Sequence, residues 1–416
     1  MASVPAQTES PAEQRVTPLS RNRNFTMLWI GELFSELGGE IAFISFPLLV
    51  LFTSKSPVET GLILSVTAVA RMAATLPAGL AADRSNRRRL MLLCQLARVV
   101  AMGSLAIALY LGTFSFAHML VVAAVEGFFS SAFEPVEHAA LAQLVHPTQL
   151  SQALARNAAR PYAATLIGPA FAGVLFAVLR TLPFAVATGL LVISLGCLST
   201  LRIPSATPPP PDAEHQLLRQ AGEGLRWVLG NRLIRTTLLW LAFSQLVFSA
   251  LIVVILAASG EGNLPAGQIG LMMTCVGAGG LLGAACAGRL HAALPPAVIV
   301  LGFSWIAPVL TLVMTLVPVG LPIGVVLAGL AFFVPVVMTT VMTHQLEATP
   351  DQLRGRLSGA VGLCTGGAGA LGPVVAGFAM GGGARTSLLV CAGVLAVVAV
   401  GTTLSPTLRR FSRSNT

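Results

Sequence analysis

Glu32, Glu36 and Glu40 recur at every fourth residue inside an otherwise apolar run spanning 25–52. At 100° per residue they cover an arc of about 80° and project from one face of a helix. A charge at the centre of a membrane helix costs about 2.5–3.5 kcal/mol on insertion scales, so three in register require a polar interior rather than lipid. Arg71, Arg98, Glu126 and Arg160 place further charge inside apolar runs, with Glu126 midway along its run and Glu134 towards its end. Acids buried beside an aqueous cavity are disfavoured in their charged form by desolvation and by one another, which lets them bind and release protons near neutral pH. Glu36, near the bilayer midplane, is the first candidate for such proton exchange, Glu126 the second and Glu32 the third. The alternative is a structural ion pair in which Arg71 or Arg98 neutralises a buried glutamate.

Other chemistries lack their residues. The sequence holds no nucleophile with a base and an orienting acid, no metal-ligand spacing and no phosphate-binding Gly-x-x-x-x-Gly-Lys run. An enzyme, a metal site, a cofactor and ATP hydrolysis are therefore not expected. The six cysteines lie singly in apolar runs and read as packing residues. His118, His146 and His291 are lone histidines, the last two read as loop residues.

The acids are positioned by membrane helices. Of 416 residues, 55% are apolar and 10% charged, against about 25% charged in a soluble domain. Runs of the roughly 20 residues needed to cross a bilayer fall near 25–52, 57–82, 90–111, 115–138, 151–179 and 183–203. A second set falls near 233–259, 266–288, 295–317, 321–345, 355–380 and 385–406. The expected organisation is a polar tail over 1–20, a six-helix bundle over 21–203, a proline-rich linker over 204–232, a second bundle over 233–408 and a tail over 409–416. Eighteen arginines fall on the side shared by the two termini, whereas the opposite loops hold only Lys55, Arg180 and Arg385. The positive-inside rule then places both termini in the cytoplasm, and the net charge of +9 needs no nucleic-acid partner.

The two sets of helices repeat each other. Gly168-Pro169-Ala170-Phe171-Ala172-Gly173 in the fifth run matches Gly372-Pro373-Val374-Val375-Ala376-Gly377 in the eleventh, 204 residues later. Phe34-Ser35-Glu36-Leu37 matches Phe243-Ser244-Gln245-Leu246 at an offset of 209. Parallel repeats of six helices are the organisation of a large transporter fold whose substrate site lies near the midplane between the halves.

Between the second and third runs, Gly79-Leu80-Ala81-Ala82-Asp83-Arg84-Ser85-Asn86-Arg87-Arg88-Arg89 resembles the loop signature of the major facilitator superfamily. Asn86 stands where that signature has glycine, and in the second half Gly283 aligns with Gly79 while Ala287 replaces the aspartate. The resemblance covers the whole chain and implies an all-α membrane protein of twelve helices in two pseudo-symmetric bundles. It also implies that Gly79, Asp83 and Arg87 belong to a cytoplasmic gate, with Glu134 a further partner for a loop arginine. Arg23-Asn24-Phe25, the 133–145 stretch after the fourth run, Gly224-Leu225-Arg226-Trp227 and Arg354-Gly355-Arg356 are similar to the drug:proton antiporter branch that contains macrolide-efflux proteins and the enterobactin exporter. Gly168, Pro169 and Gly173 resemble the end of the helix 5 antiporter element.

The expectation is a monomeric, proton-coupled exporter of an amphipathic small molecule in a bacterial cytoplasmic membrane, its partners being substrate, protons and lipid. Glu40, Gln245, Phe248 and Thr274 are expected to line the substrate cavity. An importer of a polar nutrient and a non-transporting receptor or scaffold are the alternatives.

Overall fold

The chain is known from a computed structural model, which describes residues 18–84, 86–201, 230–350 and 353–405. Among these described residues the apolar runs form twelve helices long enough to cross a membrane. In the first half these are α1 (Arg23–Thr53), α2 (Pro57–Arg84), α3 (Arg87–Tyr110), α4 (Phe116–Leu144), α5 (Leu150–Val178) and α6 (Leu182–Ser199). The second half holds α7 (Arg232–Glu261), α8 (Ala266–Ala293), α9 (Pro296–Met314), α10 (Leu321–Glu347), α11 (Arg354–Ala379) and α12 (Ala384–Leu404). No strand occurs among the described residues. The expected tails and most of the 204–232 linker lie outside them.

Local chemistry sets the helix starts. Asn22 accepts a hydrogen bond from the Phe25 amide at 3.1 Å, and Asn231 at the matching place in the second half accepts one from Leu233 at 3.0 Å. Each satisfies an amide that has no partner within its helix. Asn86, the departure from the loop signature, serves α3 in the same way by accepting from the Arg89 amide at 3.2 Å. On the outside, Leu93, Val100 and Ile107 expose one apolar stripe of α3, as a face turned to lipid requires.

Two expectations need correction. The fourth helix does not stop near residue 138 but runs through Pro135 to Leu144, so the 133–145 stretch forms its last turns rather than a following segment. A proline is tolerated inside a membrane bundle because neighbouring groups re-satisfy the backbone it frees. His291 lies within α8, not in a loop, and its Nε2 is 3.0 Å from the Val336 carbonyl oxygen and 2.9 Å from Thr340 Oγ1 of α10.

The repeat is visible in the packing. In the first half α1 packs on α5 and α6, α2 on α4, and α3 on α4 and α6; in the second, α7 packs on α11 and α12, α8 on α10, and α9 on α10 and α12. Every pair thus has its counterpart. The halves meet through α2 against α11 and α5 against α8, which exchange places under a two-fold rotation. Both contacts are made closely at the ends remote from the chain termini. There Gly173 of α5 meets Gly270 of α8, and Gly61 of α2 meets Gly377 of α11. A methyl group on Gly270 would fall 2.5 Å from the Pro169 carbonyl oxygen, and one on Gly377 would fall 2.8 Å from that of Pro57. Only glycine lets these backbones approach so closely.

Candidate functional site

A cavity of about 630 Å³ occupies the first half and is lined by residues of α1, α2, α3, α4 and α5. It reaches from Glu40 and Ala164 near mid-membrane to Glu134, His138 and Leu154, which are exposed towards the terminal face. With the halves closed at the opposite face, the cavity opens on the side of the termini.

Two arginines organise its inner wall. Arg98, from α3, is buried against Glu126 of α4: its Nε donates to both carboxylate oxygens at 3.1 and 3.0 Å and its Nη2 to Oε1 at 2.6 Å. Its Nη1 donates to Ser35 Oγ of α1 at 2.6 Å. Both oxygens of Glu126 are therefore held by one fork, the geometry that suits a guanidinium and a carboxylate best.

Arg160, from α5, is the second centre. Its Nη1 and Nη2 donate to the two oxygens of Glu137 at 3.0 Å each, Nη2 also donates to Glu36 Oε1 at 3.1 Å, and Nη1 donates to Asn157 Oδ1 at 2.7 Å. Glu32 Oε2 lies 3.9 Å from the same Nη2. One cation thus faces three carboxylates. The remaining oxygens, Glu32 Oε1 and Glu36 Oε2, are buried with no hydrogen-bond partner among the described residues. Glu32 interacts electrostatically with Arg98 as well, so it stands between the two arginine centres.

The helix period explains how α1 supplies this wall. Glu36 is about 20 Å along a helix rising 1.5 Å per residue, near mid-membrane, with Glu32 one turn before it and Glu40 one turn after. Glu40 accepts from Thr165 Oγ1 of α5 at 3.3 Å and interacts electrostatically with Arg71. Gly168 allows the approach, since a methyl group there would fall 2.6 Å from Glu40 Cβ.

The structure therefore brings Glu32, Glu36, Glu40, Glu126, Arg71, Arg98 and Glu134 to one cavity. Arg71 is exposed to it rather than buried, because its side of α2 turns to the opening. Glu134 is also exposed, and it stands 4.0 Å from His138 of its own helix. Gly168, Pro169 and Gly173 fall on α5 where it meets α1 and α8. Gly79 and Asp83 lie outside the residues whose side chains are described, while Arg87 donates to the Ala139 carbonyl of α4 at 3.0 Å. Of the residues expected to line the substrate cavity, Glu40 falls in this one. Gln245 and Phe248 line a separate cavity in the second half, and Thr274 turns its hydroxyl to the Gly270 carbonyl of its own helix at 3.0 Å. Glu137 and Asn157 were not expected, and Arg160 carries more of the site than its position at the edge of an apolar run suggested.

The profile of the transmembrane secretion effector family matches residues 14–415. The chain is a member of that family, of the major facilitator type. Among relatives of this chain, the multidrug efflux pump Tap of Mycolicibacterium fortuitum is 26% identical over 376 residues, covering 84% of this chain and 88% of the relative. The enterobactin exporter EntS of Citrobacter koseri is 26% identical over 337 residues, covering 80% of each chain. Among solved structures, the nucleoside transporter NupG superposes with a TM-score of 0.74 at 12% identity, covering 91% of this chain and 98% of that one. A bacterial homologue of the human lysosomal transporter Spinster gives 0.69 at 14% identity, covering 95% and 99%. These likenesses fix the major facilitator fold, and this member of the family is a membrane transporter rather than an enzyme.

Proposed function

We propose that this protein exports an amphipathic small molecule from the bacterial cytoplasm by proton antiport, working as a monomer through alternating access with both termini in the cytoplasm. The observation that carries the reading is the Arg160 centre, where one buried guanidinium faces Glu32, Glu36 and Glu137. Three ionised carboxylates around one cation would leave uncompensated charge in a low-dielectric wall, which is costly. The centre is relieved by taking up a proton, and Glu32 and Glu36 are the acids with an oxygen free to hold one. Glu36 remains the first candidate for coupling and Glu32 moves ahead of Glu126, whose oxygens are both engaged by Arg98.

Outward transport is supported by the relatives, a multidrug efflux pump and enterobactin exporters, and the positive-inside rule assigns the arginine-rich side to the cytoplasm. In that orientation the cavity opens inward, Gly173 with Gly270 and Gly61 with Gly377 close the outer side, and the segment from Gly79 through Asp83 to Arg87 locks the inner side when the cavity faces out. Proton binding would shift the population between these states through its different affinity for each.

The test is accumulation of ethidium, an amphipathic dye, by everted vesicles containing the protein, with and without an imposed pH gradient. Accumulation that depends on the gradient and disappears in Glu36→Gln supports the reading. Accumulation indifferent to both contradicts proton coupling, and transport of ethidium only in the opposite direction contradicts export.

A further inference from the structure

The second half contains a cavity of about 130 Å³ at the place where the first half holds the Arg98–Glu126 pair, among α7, α9 and α10, the counterparts of α1, α3 and α4. Its walls carry no charge. Trp240 and Phe303 lie edge to face with ring centroids 6.2 Å apart and planes at 76°, and Phe248 and Ala307 add apolar surface. The indole Nε1 of Trp240 donates to Ser304 Oγ at 3.0 Å, which fixes the ring. Trp240, Phe303 and Ala307 are buried or half-buried, so the walls are preformed.

Three polar side chains, Ser244, Gln245 and Thr365, interrupt this apolar lining. Ser244 and Gln245 of α7 both face the cavity, and neither side chain has a hydrogen-bond partner among the described residues. Most other serine and threonine hydroxyls in the second half bond back to a carbonyl of their own helix, as Ser249, Ser304 and Thr365 do. Gln245 is about 20 Å along α7 at 1.5 Å per residue, at mid-membrane depth, and is exposed, so its amide is accessible to a ligand in the cavity.

We propose that this cavity is a cargo subsite for a single aromatic ring bearing a hydrogen-bonding substituent, held between Trp240, Phe248 and Phe303 with its polar edge on Gln245. Size and chemistry agree. An engineered apolar cavity of about 150 Å³ holds one benzene molecule, so 130 Å³ is the size of one ring. The aromatic walls favour edge-to-face contact with the ring. The amide of Gln245 can donate or accept, so a hydroxyl, amine or amide substituent would satisfy it, with Ser244 within the same wall. An unsubstituted ring would forgo this hydrogen bond and bind less tightly. The subsite's place in transport rests on the exporter reading, but ring binding does not.

Fluorine NMR on the full chain in lipid nanodiscs tests this with 4-fluorophenol and fluorobenzene as probes and empty nanodiscs as the partition reference. Saturable binding of 4-fluorophenol above the empty-disc signal is expected, with fluorobenzene weaker. Gln245→Leu should weaken 4-fluorophenol about five- to tenfold, the loss of one hydrogen bond, and change fluorobenzene by less than twofold. Ala307→Phe, which fills the cavity, should abolish binding of both. Should that variant fail to fold, the contrast between the two probes in Gln245→Leu decides the matter alone. No saturable binding, or equal loss of both probes in Gln245→Leu, overturns the proposal. Ethidium export is measured on the same preparations. Ring binding without export counts against the exporter reading and leaves the subsite standing, whereas export without ring binding removes the subsite and leaves the exporter reading intact.

Discussion

Glu36 and Gln245 occupy the same position in the two halves, yet Glu36 accepts a hydrogen bond from Arg160 at 3.1 Å while Gln245 has no partner among the described residues. The asymmetry extends to their surroundings. Around Glu36 the cavity wall carries arginines and carboxylates, and around Gln245 it is aromatic and aliphatic. The two bundles thus differ in lining, with charge held in the one and apolar surface in the other.

The Arg98–Glu126 pair supports the fold of the first bundle. Removing one partner of a buried ion pair costs about 3–5 kcal/mol because the other charge is stranded. Arg98→Met and Glu126→Gln should each lower the melting temperature in detergent by several degrees, followed by tryptophan fluorescence. The double variant should recover part of the loss. Single variants as stable as the parent would show that the pair is not holding α3 to α4.

Closure of the face remote from the termini depends on Gly61 and Gly270. Gly61→Leu or Gly270→Leu should hold the helix pairs apart and shift the population towards the state open on that side. With the six native cysteines replaced, spin labels at Ser56 and Gly381 should report a longer distance by electron–electron resonance in either variant. An unchanged distribution would mean that close glycine contact is not required for closure.

Orientation follows from the arginine distribution. A reporter active only outside the cytoplasm should be silent when fused at residue 215 or 416 and active at Ser56. Activity at residue 215 would overturn the orientation and with it the inward opening of the cavity.

Much of this architecture was legible in the sequence because membrane helices announce themselves by length and apolarity, and the repeat by matched glycines and prolines. The face shared by Glu32, Glu36 and Glu40 followed from the helix period alone. What surrounds Glu36 did not. Arg160 and Glu137 arrive from α5 and α4, and no spacing along the chain says that these two helices present them to α1. Glu137 was further hidden by ending the fourth helix near residue 138, which left it at a surface end; the apolar pattern continuing past Pro135 to Leu144 was the signal that would have kept it inside. The separation of Gln245 and Phe248 from the charged cavity was equally unreadable, because repeat symmetry matches positions and not the side chains lining them.

The central claim is that the carboxylates around Arg160 exchange a proton for cargo. The direct measurement is substrate-induced proton release in detergent, in which ethidium is added to weakly buffered purified protein and the released protons are followed with a pH indicator. The wild type should release protons on binding near neutral pH. Glu36→Gln should bind ethidium within a few-fold of wild type but release markedly fewer protons, with Glu32→Gln showing a smaller loss and Glu126→Gln, where it folds, little change. If Glu36→Gln and Glu32→Gln both release protons as the wild type does, with the same pH dependence, the Arg160 centre is structural and the coupling site lies elsewhere.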